Sequence, residues 1–153
     1  MRVDIFIMTN FRGPSRKDGI GGYVIRTKVK GQDSTVQRAV RIDDGTENMA
    51  EIKTALYALR RLNEKATEVH IYPEREYLAM AIEKWSKKWV QNGFTTAKGK
   101  PVEYRDWWEE ILSMLQNRQV EFHPGQQHEF YNWMKGALDK CQNLKRGSEK
   151  PQA

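Results

Sequence analysis

Residues 22–42 decide the fold class: Gly22-Tyr23-Val24-Ile25-Arg26-Thr27-Lys28-Val29, the turn Lys30-Gly31-Gln32-Asp33, then Thr35-Val36-Gln37-Arg38-Ala39-Val40-Arg41-Ile42. Two β-rich runs, 22–30 and 35–42, flank a connection short enough for an antiparallel hairpin. Ahead of them Val3-Asp4-Ile5-Phe6-Ile7-Met8 reads as a further strand, over residues 3–8. It is joined to the hairpin by the turn-forming stretch Arg12-Gly13-Pro14-Ser15-Arg16-Lys17-Asp18-Gly19, with Arg12, Arg16 and Lys17 adding basic charge. Behind the hairpin a helix begins near Glu47, where Met49, Ile52, Leu56, Leu59 and Leu62 recur at three- and four-residue steps. Val69-His70-Ile71-Tyr72 reads as a short buried strand closed by Pro73. Residues 75–92 read as helix and 93–103 as loop, from Gly93, Gly99 and Pro101. Helix over 104–117, strand over 119–123 and helix over 127–141 complete the order β-β-β-α-β-α-β-α. That order predicts an α/β domain with a mixed five-stranded sheet and helices on both faces.

Composition narrows the function. The 153 residues suit one domain, and 39% apolar with 30% charged residues lies outside the disordered range. The start of the chain lacks signal-peptide architecture and no apolar run is long enough to span a bilayer, so a cytoplasmic protein without membrane contact is expected. One cysteine, Cys141, excludes an internal disulfide and a Cys-based zinc site. A net charge of +6 favours a polyanionic partner.

The segment Ala81-Ile82-Glu83-Lys84-Trp85-Ser86-Lys87-Lys88-Trp89, continuing through Asn92-Gly93-Phe94-Thr95-Thr96-Ala97-Lys98-Gly99-Lys100-Pro101-Val102 to Asp106-Trp107-Trp108, resembles without a gap the basic protrusion of bacterial type 1 ribonucleases H. Asn48-Met49-Ala50-Glu51, Gly21-Gly22-Tyr23, and Val69-His70-Ile71-Tyr72-Pro73-Glu74 followed by Tyr77 carry the same resemblance. It spans residues 1–141 and leaves a disordered polar tail over 142–153. What it implies is a ribonuclease H-like fold, monomeric, cutting the RNA strand of an RNA/DNA hybrid with two Mg²⁺ or Mn²⁺ ions held by four carboxylates. Carboxylates suit hard cations that demand oxygen ligands, and two ions about 3.5–4 Å apart activate water and stabilise the leaving oxygen.

The resemblance places two acids, Glu51 and Glu74. The first acid position falls on Met8 or on Asn10, depending on register, and the fourth on Asn132; none of these is a carboxylate. Asp4 lies four strand residues back, roughly 13 Å away. The histidine of the family's mobile loop corresponds to His123 or His128. Weak metal binding at Glu51 and Glu74, and weak or absent hydrolysis, are therefore expected. An active divergent nuclease, rebuilt with Asp18 or Glu129, and a protein-interaction scaffold are the competing readings.

Nucleic-acid binding rests on charge. Residues 84–105 hold Lys84, Lys87, Lys88, Lys98, Lys100 and Arg105 against the acid Glu103, a concentration of positive potential suited to phosphates. Trp85, Trp89 and Trp108 are expected to pack the core beneath them, and Met80, Met114 and Met134 to fill gaps. Asn48 resembles a residue reaching the hybrid's minor groove and is equally plausible as a helix cap, and Thr46 is either a phosphate contact or a helix cap. His70 reads as a structural histidine.

Overall fold

The computed structural model describes residues 1–140; Cys141 and the tail expected from Gln142 lie outside the described residues. Its five strands run β3-β2-β1-β4-β5 across one mixed sheet. Strand β1 (Arg2–Thr9) is buried from Val3 to Thr9 because both of its faces are covered, which explains its nearly unbroken apolar sequence. It pairs antiparallel with β2 (Lys17–Val29) and parallel with β4 (Glu68–Tyr72), which in turn pairs parallel with β5 (Gln119–Phe122). The hairpin of β2 with β3 (Gln32–Gly45) closes through Lys30 and Gly31, both at positive φ (52° and 81°), the twist a two-residue turn needs.

Strand β2 starts at Lys17, five residues before the expected 22, and β3 runs on to Gly45. Gly19, which reads as a turn former, lies in the strand with Gly21, and neighbours press against both. A Cβ on Gly21 would sit 1.8 Å from Thr54 Oγ1, and one on Gly19 would sit 2.5 Å from the Phe11 ring. Close backbone approach, rather than chain reversal, is what these positions require.

Helix α1 (Glu47–Leu59) is capped by Thr46, whose hydroxyl accepts from the Met49 amide at 3.2 Å. Arg60 ends it, so Leu62 packs at the core's rim from outside the helix. The helix expected over 75–92 is broken into α2 (Tyr77–Met80), a wide π turn (Ala81–Trp85) and α3 (Ser86–Gln91). Within that turn the Ser86 amide reaches the Ala81 carbonyl, and the Ser86 hydroxyl donates to Ile82 O at 2.6 Å. Helix α4 (Arg105–Leu115) follows the loop. The last helix, α5, occupies 131–140 of the described chain and begins four residues later than the expected 127. The delay has a local cause: the Phe130 amide is satisfied by His128 Nδ1 at 3.2 Å, and helical bonding starts with Met134 N to Phe130 O at 2.8 Å.

Helices cover both faces. Helices α1, α2 and α4 pack Ile52, Leu56, Leu78, Trp108 and Ile111 on the side of Ile5 and Ile7. Helix α5 packs Met134 and Leu138 against Phe6, Met8, Val24 and Tyr72 on the other. Trp108 is buried and Trp89 partly so, whereas Trp85 is 41% exposed, contrary to expectation. The π turn widens the helix at that point and leaves Trp85 flanked by Tyr77 and Trp89 at the surface. Among the described residues no helix is long and apolar enough to cross a membrane.

Candidate active site and nucleic-acid surface

Glu51 stands one turn after Glu47 on α1, so both carboxylates share a helix face. Glu74 follows the end of β4, beyond Pro73. Arg75, the next residue after Glu74, reaches both carboxylates on α1. Its guanidinium bonds Glu51 Oε2 at 2.7 Å, reaches Glu47 Oε1 at 3.3 Å and donates to Asn48 Oδ1 at 2.7 Å. Glu74 is paired as well: Oε2 lies 3.3 Å from Arg12, and Oε1 accepts from the Thr9 amide at 3.3 Å. Each carboxylate of the resemblance thus has a guanidinium partner already in place.

Glu51 is buried, and its Oε1 has no hydrogen-bond partner among the described residues. Burial pushes its carboxyl up to about 7; Arg75 opposes the shift, while the charges of Glu47 and Glu74 add to it. The coupling to Glu74 puts the two acids in one electrostatic neighbourhood.

The remaining candidate positions are elsewhere engaged. Met8 is packed into the apolar core with Phe6, Val24, Tyr72 and Met134. Asn10 turns toward β2, its Oδ1 accepting from the Ile20 amide at 2.8 Å. Asn132 is exposed in the first turn of α5. The acids weighed for a rebuilt site are held too. Asp18 accepts from the Asp44 amide at 2.7 Å, and Glu129 pairs with Arg26.

The two histidines separate. His128 lines a cleft of about 260 Å³ together with Glu74, Gln126, Gln127 and Tyr131, and burial holds its pKa below the ordinary imidazole value. His123 instead stacks on Tyr72 at 4.6 Å and bonds to His70 on the sheet.

Thr46 and Asn48 line a surface groove with Gly13, Pro14, Glu103 and Tyr104. Thr46 is the helix cap and also lies 3.4 Å from the Tyr104 hydroxyl, while Asn48 does not cap; Arg75 orients its carbonyl. Lys84, Lys87, Lys88, Lys98 and Lys100 are all exposed. The last two are carried by a small hairpin in which Thr95 bridges Pro101 and the Thr96 amide bonds Lys100 O at 2.7 Å. Its base rests on Trp89, Phe94 and Trp108. Arg105 differs from the lysines: it pairs with Glu109 at 2.7 Å, one helical turn along.

Sequence reading missed Arg75, Arg12 and Glu47. An arginine immediately after Glu74, and an acid four residues before Glu51, were the available signals. Their partners are distant in sequence, so no local rule joined them.

The chain spans 57% of the length of one curated relative, the Ribonuclease H of Prosthecochloris aestuarii, at 40% identity over 84 residues, which is 54% of this chain. The Ribonuclease H of Chlorobium phaeobacteroides strain BS1 is 35% identical over 128 residues, covering 83% of this chain and 84% of that protein. Two solved structures agree in fold. LC9-RNase H1, described as a type 1 RNase H with the type 2 active-site motif, superposes with a TM-score of 0.68 at 19% identity, covering 83% of this chain and 64% of that one. LC11-RNase H1 in complex with RNA/DNA hybrid superposes with a TM-score of 0.60 at 19% identity, covering 92% and 99%. The RNase H family profile matches residues 11–131, and with this sheet order, these helices and these relatives the chain belongs to the ribonuclease H family.

Proposed function

We propose that this protein binds RNA/DNA hybrid or duplex as a ribonuclease H-like domain whose hydrolysis is weak or absent. The observation that carries the reading is the pairing of both acids with arginine, Glu51 with Arg75 and Glu74 with Arg12. Two Mg²⁺ ions need several anionic oxygens that are free to coordinate. This donor set does not fit them: its anionic charge is already offset by two guanidinium groups, and the other two acid positions fall on Met8 or Asn10 and on Asn132, none of them a carboxylate. A guanidinium carries positive charge without polarising or deprotonating a bound water, so Arg75 holds Glu51 in place and supplies no nucleophile.

Binding rests on different residues. Lys84, Lys87, Lys88, Lys98 and Lys100 offer phosphate contacts on the aromatic-braced protrusion. Asn48 and Thr46 line the groove beside it, where a minor-groove edge can be approached. Arg105, paired with Glu109, contributes less. Monomeric behaviour and cytoplasmic residence, both expected from the sequence, belong to the same proposal.

One observation favours the divergent-enzyme reading: Glu51 Oε1 is buried and unpartnered, as a ligand atom awaiting a cation would be. A single experiment separates the two. Fluorescence anisotropy with matched hybrid, RNA and DNA duplexes is run beside cleavage of the labelled hybrid in Mg²⁺ and in Mn²⁺. Binding without multiple-turnover cleavage is the expected result. Cleavage that Glu51→Gln abolishes establishes the enzyme instead.

A further inference from the structure

Outside the acid pair, strands β4 and β5 bring together a second set of ligating side chains. In their parallel register His70 stands directly opposite Glu121, and the strand period of two puts His123 on the same face as Glu121. The His123 amide continues the ladder by bonding Ile71 O at 2.8 Å, so the ring's position is set by the sheet. His70 Nδ1 lies 2.9 Å from His123 Nε2 and 3.4 Å from Glu121 Oε2. These three donor atoms all lie within 4.8 Å of one another.

Two features go beyond proximity. His70 is only 5% exposed, and its other ring nitrogen, Nε2, lies 2.6 Å from Glu68 Oε2. In the tautomer whose Nε2–H donates to the Glu68 carboxylate, Nδ1 presents its lone pair toward His123 and Glu121. A carboxylate behind a buried imidazole is the arrangement that orients metal-binding histidines. The His123 ring is also held, stacked on Tyr72 at 4.6 Å and parallel to His70 within 7°.

We infer that His70, His123 and Glu121 form a Zn²⁺ site at the β4–β5 edge, on the α5 side of the sheet. Two imidazoles and one carboxylate suit a borderline cation rather than Mg²⁺, and three protein ligands leave a fourth position for water. With Zn–N near 2.0–2.1 Å, tetrahedral ligands sit about 3.3 Å apart, so the two nitrogens need open by only about 0.4 Å. The Glu121–His70 separation already matches. With His70 in that tautomer, His123 Nε2–H is the donor of the 2.9 Å contact in the absence of metal. On binding, His123 moves that proton to its own Nδ1 through solvent, and no net proton is released.

Competition between the full-length protein and a chromophoric chelator for Zn²⁺ tests the site, with Co²⁺ as a spectroscopic substitute. One equivalent should bind with a four-coordinate Co²⁺ spectrum, and saturation should raise Tm by roughly 5–10 °C at a hundredfold excess over Kd. Glu121→Gln, at an exposed position, and His123→Gln should each weaken binding at least tenfold. Glu51→Gln and Glu74→Gln should leave it unchanged. Failure to bind Zn²⁺, binding that survives both Glu121→Gln and His123→Gln, or loss in Glu51→Gln overturns the assignment. Because Glu121 lies on the surface, loss of binding in Glu121→Gln with unchanged metal-free Tm cannot be ascribed to unfolding.

Discussion

Replacing Glu51 with glutamine should stabilise the protein, and the gain should appear only as pH rises. Burial lifts the Glu51 carboxyl from its ordinary 4.5 to about 7, even with Arg75 bonded to it. A group whose folded pKa lies above its unfolded value binds more protons in the folded state between the two. Stability therefore falls with pH across that window, from about 4.5 to about 7. A shift of this size corresponds to roughly 3 kcal/mol of lost stability by pH 8. Glutamine resembles the protonated carboxyl, so Glu51→Gln should match the parent near pH 4.5 and exceed it by about that amount at pH 8. At about 2–4 °C per kcal/mol for a chain of this size, Tm should rise by roughly 6–12 °C at pH 8. Calorimetry from pH 4.5 to 8.5, in chelator-treated buffer, gives the comparison directly. A Tm difference that stays flat with pH, or that favours the parent increasingly at high pH, refutes the reasoning. It would mean that the Arg75 pair outweighs the burial of Glu51.

Binding to a hybrid should weaken with salt at a log–log slope of roughly −3 to −4 if Lys87, Lys88, Lys98 and Lys100 each neutralise a phosphate; changing all four to Ala should flatten that slope in anisotropy titrations. Asn48→Ala should alter the preference between hybrid and plain DNA duplex rather than overall affinity, as matched-duplex competition would show. Gly21→Ala should destabilise by about 1–3 kcal/mol in urea melts because the new Cβ lands 1.8 Å from Thr54 Oγ1, and Thr54→Ala in the same chain should recover part of the loss. Met8→Asp combined with Asn132→Asp should restore some hybrid cleavage at the cost of stability, since Met8 lies in the apolar core with Phe6 and Tyr72. No gain in cleavage by a folded double variant would count against metal loss as the basis of the proposed weak hydrolysis.

The candidate site was legible in part. Glu51 and Glu74 came from short motifs, and the fold brings the charge of Glu74 close enough to add to the upward shift of the Glu51 carboxyl. Asn10 and Met8 remained alternatives in the sequence because they lie two residues apart, and a shift of two keeps the strand's alternation of faces unchanged. The structure turns Asn10 to the Ile20 amide and packs Met8 in the core. Thr46 proved to be a cap through its bond to Met49, while Asn48, an equally plausible cap by residue type, is held by Arg75.

Local chemistry by itself determined the three-strand meander, the αβ alternation after it and the concentration of lysines over residues 84–105, which a family resemblance then identified as a protrusion. Periodicity and turn residues act over a few positions, so a single chain displays them. The arginine partners, the His70–Glu121–His123 cluster and the lengthening of β2 through its glycines were decided only by tertiary structure. Arg12 meets Glu74 across 62 residues and His70 meets His123 across 53. Such pairings are set by strand order and register, and both depend on how the entire sheet buries its two faces.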